Sequence, residues 1–197
     1  MANQDRLFEF NSAKDYTPWL AVLAVVILSI ILLWSFGRVW WCQAGDYSPW
    51  SSDIWTQHNS QHLFDPYTFT HILHGVLEFW LISLIFPKWS LAWRLFLAIF
   101  IESGWEVVEN TDVVINHYRE ATLALNYYGD SIINSLGDIL ACGLGFWLAY
   151  KMKFWFSFVF FVLVEIILII LIRDSLLLNI IMLIYPIEGI KQWQIGA

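Results

Sequence analysis

The chain has 197 residues, 59% of them hydrophobic, with 13 Trp, only 14% charged residues and a formal net charge of −7. Soluble domains carry about 25% charged residues, so this composition places the chain among membrane proteins. It has no Lys/Arg-rich stretch, which removes the electrostatic footprint that nucleic-acid binding needs.

Six apolar stretches follow in chain order, predicting an all-α, polytopic transmembrane helix bundle in one integral-membrane domain over 1–197. The first covers 18–36, with Pro18 suited to a first helical turn. Its apolar core is too long for a cleaved signal peptide, and no small-x-small site follows. The linker at 38–67, rich in Trp, Ser, Asp and His, is expected to lie on the outer membrane interface, anchored by Trp50 and Trp55. The second stretch covers 68–86, the third 91–109, the fourth 128–150 and the fifth 154–172. The sixth, 176–190, is short and contains Asn179 and Pro186, so it reads as a tilted span or a re-entrant segment.

If all six cross, Arg6, Lys14, Lys88, Arg94, Lys151, Lys153 and Lys191 fall on one side and Arg38, Arg119 and Arg173 on the other. The positive-inside rule then predicts a multi-pass protein of the bacterial inner membrane with a cytoplasmic N-terminus. Cys42 and Cys142 fall at different depths, so no disulfide is expected between them.

Ionisable residues inside a span cost about 2.5 to 3.5 kcal/mol each, so each needs a reason. Here they fall in stripes. His71, His74 and Glu78 are spaced i, i+3, i+7; Glu102, Glu106 and Glu109 are spaced i, i+4, i+7; Asp130, Asn134 and Asp138 are spaced i, i+4, i+8. The predicted topology sets all three stripes in the outer half of the bilayer, around one shared polar cavity that Arg173, Asp174 and Asn179 would close.

Three explanations stand. The stripes form a buried hydrogen-bond network, a metal site built from carboxylates and imidazoles, or an ion or proton pathway. Three glutamates on one face repel unless they are protonated or share a cation, which favours the metal site. Its expected ligands are His71, His74, Glu106 and Asp130, holding Zn, Fe or Mn. Glu102, Glu109 and Asp138 are the expected acid/base residues. Asn134, Arg173, Asp174 and His62 are the expected substrate contacts, with Arg173 on an anionic head group. His58 and His62 read as solvated loop histidines, with capping the cavity or supplying ligands as the alternative, His117 as a surface residue, Glu165 as a partner for a neighbouring helix, Cys42 as a weak ligand candidate, and Gly137, Gly143 and Gly145 as close-packing positions.

Asn59-Ser60-Gln61-His62, Thr70-His71-Ile72-Leu73-His74-Gly75, the stretch 102–110, Tyr118-Arg119-Glu120-Ala121-Thr122, Tyr128-Gly129-Asp130-Ser131 with Asn134-Ser135, and the stretches 172–174 through 185–186 together resemble an uncharacterised family of small bacterial inner-membrane proteins. The likeness covers roughly 38–194. It departs at Ala44, where the family pattern has a second Cys. The resemblance implies the fold and the localisation and supplies no reaction. Asp130, Asn134, Gly137 and Gly145 are also loosely similar to the VanZ-like membrane proteins of glycopeptide resistance. The pair Asp130 and Asp138 is weakly similar to the aspartate dyad of lipoprotein signal peptidases, without the glycine and arginine context of that motif.

The function expected from these residues is a metal-dependent hydrolase or transferase acting on a lipid or lipid-linked substrate at the outer leaflet, its partners being membrane lipids and not nucleic acid. The alternative is a non-catalytic membrane protein, either an ion or proton pathway or a subunit of a larger complex.

Overall fold

The computed structural model describes residues 16–121 and 127–195. Arg6 and Lys14, which enter the orientation argument, and Thr122 lie outside them. Among the described residues eight helices follow one another: α1 (Thr17–Ser35), α2 (Thr68–Ile85), α3 (Leu91–Glu109), α4 (Asp112–Ala121), α5 (Ile132–Lys151), α6 (Phe154–Ile172), α7 (Leu176–Ile184) and α8 (Glu188–Ile195). Among the described residues no strand forms; Trp50 and Phe64 make one isolated bridge.

Local chemistry sets most helix starts. Pro18 sits in the first turn of α1. The hydroxyls of Ser90, Ser131 and Ser175 accept N–H bonds at the starts of α3, α5 and α7. Ahead of α2, the carboxylate of Asp65 accepts the Thr68 N–H at 3.1 Å, and the Asp65 N–H donates to the Thr68 hydroxyl at 3.0 Å. This reciprocal exchange satisfies two backbone donors at the helix entry.

Helices α1, α2, α5 and α6 are long and apolar enough to cross a membrane. Large apolar side chains along α1 and α6, among them Leu20, Ile27, Ile31, Leu163, Ile170 and Leu171, are exposed. Such a surface is stable against hydrocarbon and not against water. Helix α3 is equally long but carries Arg94 and three glutamates, and it packs against α1, α2 and α5. The centre of the bundle is the α2–α5 pair. Gly75 and Gly145 make that contact possible: a Cβ at Gly75 would collide with the Cys142 carbonyl, and one at Gly145 with the Ile72 carbonyl.

Two expectations are corrected. The expected sixth segment is two short helices, α7 and α8, broken around Pro186. Nine residues of α7 span about 13 Å, under half the hydrocarbon thickness, so α7 does not cross. Between the expected third and fourth stretches, residues 112–121 form the amphipathic helix α4, which packs on α7. Lys191 of α8 donates to the Glu120 carbonyl of α4. It therefore shares an end of the molecule with Arg119 instead of facing it across the bundle. Moving Lys191 leaves six Lys/Arg against four, a narrower margin for the same orientation.

An exposed probe tests that orientation. Cys42 and Cys142 are buried and give a silent background, whereas Tyr47 is 78% exposed. In spheroplasts, Tyr47→Cys is expected to react with a membrane-impermeant maleimide, and Lys88→Cys only after permeabilisation. The reverse pattern means that the N-terminus is outside.

Candidate functional site

Four elements bring ionisable side chains together. Helix α2 supplies His71 and His74, α3 supplies Glu102, Glu106 and Glu109, α5 supplies Asp138, and the turn before α5 supplies Asp130. Glu102 is the hub: it accepts from His71 Nδ1 and, at 2.9 Å, from His74 Nδ1. In neutral rings, Nδ1 atoms that donate to Glu102 leave the lone pair of each imidazole on Nε2. Nε2 of His71 lies 3.9 Å from Asp138 Oδ2, and Glu106 Oε1 lies 3.5 Å from His71 Nδ1. A carboxylate holding the far nitrogen of a histidine is the usual support behind a metal-binding imidazole.

Glu102, Glu106 and Asp138 are 1%, 1% and 3% exposed. Among the described residues, neither oxygen of Glu106 has a hydrogen-bond partner, nor does Asp138 Oδ1. Unpaired buried carboxylates are costly, and protons or a cation must offset them. Donor atoms of His71, Glu106 and Asp138 lie within 4.8 Å of one another, as do those of His71, His74 and Glu102.

The geometry groups donor atoms differently from the expected ligand set. Asp138, assigned as acid/base, stands among the potential ligands, and so does Glu102. Asp130, assigned as a ligand, is held instead by Asn110 Nδ2 at 2.7 Å and Tyr127 OH at 3.0 Å. It precedes α5, after Gly129 in a positive-φ conformation, so the third stripe does not lie along one helix as expected.

A cavity of about 90 Å³ opens over these groups, several times the space one water needs. His71, His74, Glu109, Asp130, Asp138 and Asp174 form its polar wall, and Ile172, Leu176, Ile180 and Leu183 its apolar wall. Asp174 accepts from Tyr67 OH at 3.2 Å. Asn134 and His62 do not line the cavity: Asn134 Nδ2 donates to the His62 carbonyl at 2.8 Å and ties α5 to the linker. Arg173 is exposed in a left-handed turn and donates to the Trp193 carbonyl at 3.3 Å. Asp174 and Asn179 close the cavity as expected; Arg173 does not.

Other expectations resolve similarly. Glu165 accepts the Leu176 and Leu177 N–H groups at 3.0 and 3.3 Å and caps α7. His117 is half-buried, 2.8 Å from the Leu183 carbonyl. The cysteines are free. Residues the sequence left unnoticed include Asp65, Tyr67, Asn110 and Tyr127. They sit in turns or at helix ends, where no periodicity marks them.

In the loops around the cavity, burial pushes the carboxyls of Asp65 and Asp174 up to about 6 and raises that of Asp130. A folded pKa above the unfolded value means that stability is full below about pH 4 and falls as pH rises through 6. Asp65→Asn keeps an oxygen for the Tyr67 and Thr68 N–H groups. The variant is therefore expected to be more stable than wild type at pH 7.5, by up to roughly 3 kcal/mol for two pKa units, and the gap should close below about pH 4. Thermal melts in chelator read this; a pH-independent gap contradicts it.

A family model described as a protein of unknown function (DUF2585) matches residues 15–196. A UPF0314 protein of Rhizobium etli is 46% identical over 178 residues, 90% of this chain and 91% of the relative. A UPF0314 protein of Brucella anthropi is 43% identical over 177 residues, 90% of each. One from Paracoccus denitrificans is 41% identical over 176 residues, 89% of this chain and 91% of the relative. No solved structure matches. These matches do not show the looser likeness to VanZ-like proteins.

Proposed function

The chain belongs to the DUF2585 family of proteins of unknown function, and we propose that it is a membrane-embedded, divalent-metal-dependent hydrolase or transferase acting on a lipid or lipid-linked substrate at the outer leaflet. The observation that carries this reading is Glu106, whose two oxygens have no hydrogen-bond partner among the described residues, and Asp138, whose Oδ1 has none, both packed against His71. A nitrogen and carboxylate donor set suits Zn²⁺, Fe²⁺ or Mn²⁺. His71, Glu106 and Asp138 would hold the ion, and Glu102 would fix both imidazoles. A divalent ion there supplies Lewis acidity and lowers the pKa of water.

The remaining work belongs to the chain. Asp130 faces the cavity with its carboxylate oriented by Asn110 and Tyr127, which suits it to take a proton from attacking water. The wall of Ile172, Leu176, Ile180 and Leu183 favours an acyl or prenyl chain next to a polar head group. No Lys or Arg lines the cavity among the described residues, so a phosphate would meet the ion instead of Arg173.

One observation favours a second reading, a proton pathway. Cys142 Sγ donates to Glu78 Oε2 at 3.1 Å, and donor atoms of Glu78, Glu102 and Cys142 lie within 4.8 Å of one another. Ionisable groups thus continue along α2 beyond the cavity.

Vesicles containing the purified protein and head-group-labelled or acyl-labelled phospholipids separate the two. The hydrolase reading expects label release that chelator abolishes and Zn²⁺, Fe²⁺ or Mn²⁺ restores, reduced about 10²-fold or more by Asp130→Asn. Chelator-insensitive proton flux without label release supports the pathway instead.

A further inference from the structure

Outside the membrane helices, the linker brings together a second set of donors. Cys42 Sγ lies 3.4 Å from His58 Nδ1, which lies 3.2 Å from His62 Nε2. His62 is completely buried and Cys42 is 5% exposed. Nδ1 of His62 stands 2.7 Å from the Ser48 carbonyl oxygen. A carbonyl only accepts, so His62 Nδ1 carries the proton and Nε2 presents its lone pair to the cluster. Asp46 Oδ2 lies 4.0 Å from that same Nε2, while Asp46 Oδ1 accepts the Ser48 N–H at 2.9 Å. Three donor atoms thus lie within 4.8 Å of one another, with a carboxylate oxygen at the rim.

Hydrogen bonding cannot satisfy both contacts at once. His58 Nδ1 either accepts the Cys42 thiol proton or donates to His62 Nε2, so one of the two contacts is left without a well-made hydrogen bond. One imidazole is already in the tautomer that binds metal, oriented by a backbone carbonyl from behind. One thiol, two imidazoles and a carboxylate are a tetrahedral set that Zn²⁺ accepts.

We propose that Cys42, His58 and His62, with Asp46 or water in the fourth position, form a structural zinc site in the extramembrane linker. Binding removes the Cys42 thiol proton and shifts the His58 proton from Nδ1 to Nε2, leaving Nδ1 as the ligand; one proton is released per ion. The site is independent of the intramembrane carboxylate cluster. Its consequence is mechanical. The segment 58–62 is held over the cavity through Ser131 N–H to the Ser60 carbonyl (2.9 Å), Gln61 Nε2 to the Gly129 carbonyl (2.9 Å) and Asn134 to the His62 carbonyl (2.8 Å). Asn59 and Ser60 line the cavity. An ion on Cys42 fastens the first part of the linker to this lid.

Co²⁺ reports the site directly, because a thiolate ligand adds a near-ultraviolet charge-transfer band that nitrogen and oxygen donors do not give. Full-length protein in detergent, freed of metal and titrated with Co²⁺, is expected to show that band. Cys142→Ala should keep it. Cys42→Ser and His62→Ala should lose it together with one equivalent of bound ion, whatever the intramembrane site holds. X-ray absorption of Zn²⁺-loaded wild type, which needs no variant, should show a sulfur neighbour at about 2.3 Å. Absence of the band in wild type, its survival in Cys42→Ser, or a zinc shell without sulfur overturns the proposal.

Discussion

Gly145→Ala and Gly75→Ala are each expected to reduce accumulation of folded protein sharply and to lower the melting temperature of what remains. Along the α2–α5 contact the atom facing each missing Cβ is backbone: the Ile72 carbonyl for Gly145, and the Cys142 carbonyl and Phe146 nitrogen for Gly75. A side chain can rotate away from a new methyl, but a helix backbone cannot, so the two helices must separate. Over-packing against side chains costs about 1–3 kcal/mol, and backbone collisions belong at or above the top of that range. A loss of about 3 kcal/mol is a large share of ordinary stability and corresponds to a fall of roughly 6–12 °C in a chain of this size. Gly104→Ala is the control. A Cβ there meets no atom within 4 Å, and Ala is the better helix former by about 1 kcal/mol, so it should be neutral or slightly stabilising. Fluorescence-detected size exclusion and thermal melts in detergent measure all three. A Gly145→Ala protein that melts with wild type contradicts the α2–α5 contact as described.

His71→Ala and Glu106→Gln are expected to release the intramembrane ion and to destabilise the protein, because a ligand bound only to the folded state adds about 2.7 kcal/mol at a hundredfold excess over its Kd. In a Cys42→Ser background, which removes the proposed linker ion, chelator should lower the melting temperature of the parent and leave these variants unmoved. The sign of the Glu106→Gln effect separates the readings. With an ion present, the substitution removes a ligand and destabilises. Without one, it removes a buried carboxylate that has no hydrogen-bond partner among the described residues, and it stabilises or changes nothing. Glu165→Ala provides the contrast: it uncaps the first N–H groups of α7 and should cost about 1–3 kcal/mol while the ion stays in place.

Much of the fold was legible in the sequence because membrane helices announce themselves by length and by the absence of charge. The third segment was read as 91–109, the bounds of α3, and the second and fifth segments match α2 and α6 within a residue. The two-histidine and three-glutamate stripes were legible because helical periodicity puts them on one face. What failed lies where periodicity stops. Asp130 was counted into an i, i+4, i+8 stripe, but Ser131 caps α5 and Gly129 turns the chain ahead of it. Asp130 therefore reaches the cavity from a loop, while Asp138 approaches the histidines from the helix. Helix α4 was missed because its ten residues are amphipathic and short, with no apolar run to mark them. Cys42, His58 and His62 are each visible as ligand candidates, but their convergence is not: the linker has no repeating geometry, so nothing in the spacing of these residues predicts that they meet.

A divalent ion shared by His71, Glu106 and Asp138 is open to direct observation by anomalous diffraction from crystals grown without chelator. Data collected on either side of the zinc, iron and manganese absorption edges are expected to show a peak beside the His71 imidazole, in contact with carboxylate oxygens of Glu106 and Asp138. An ordered site with no anomalous peak at any of the three edges, its carboxylates paired through protons or water, would contradict the claim.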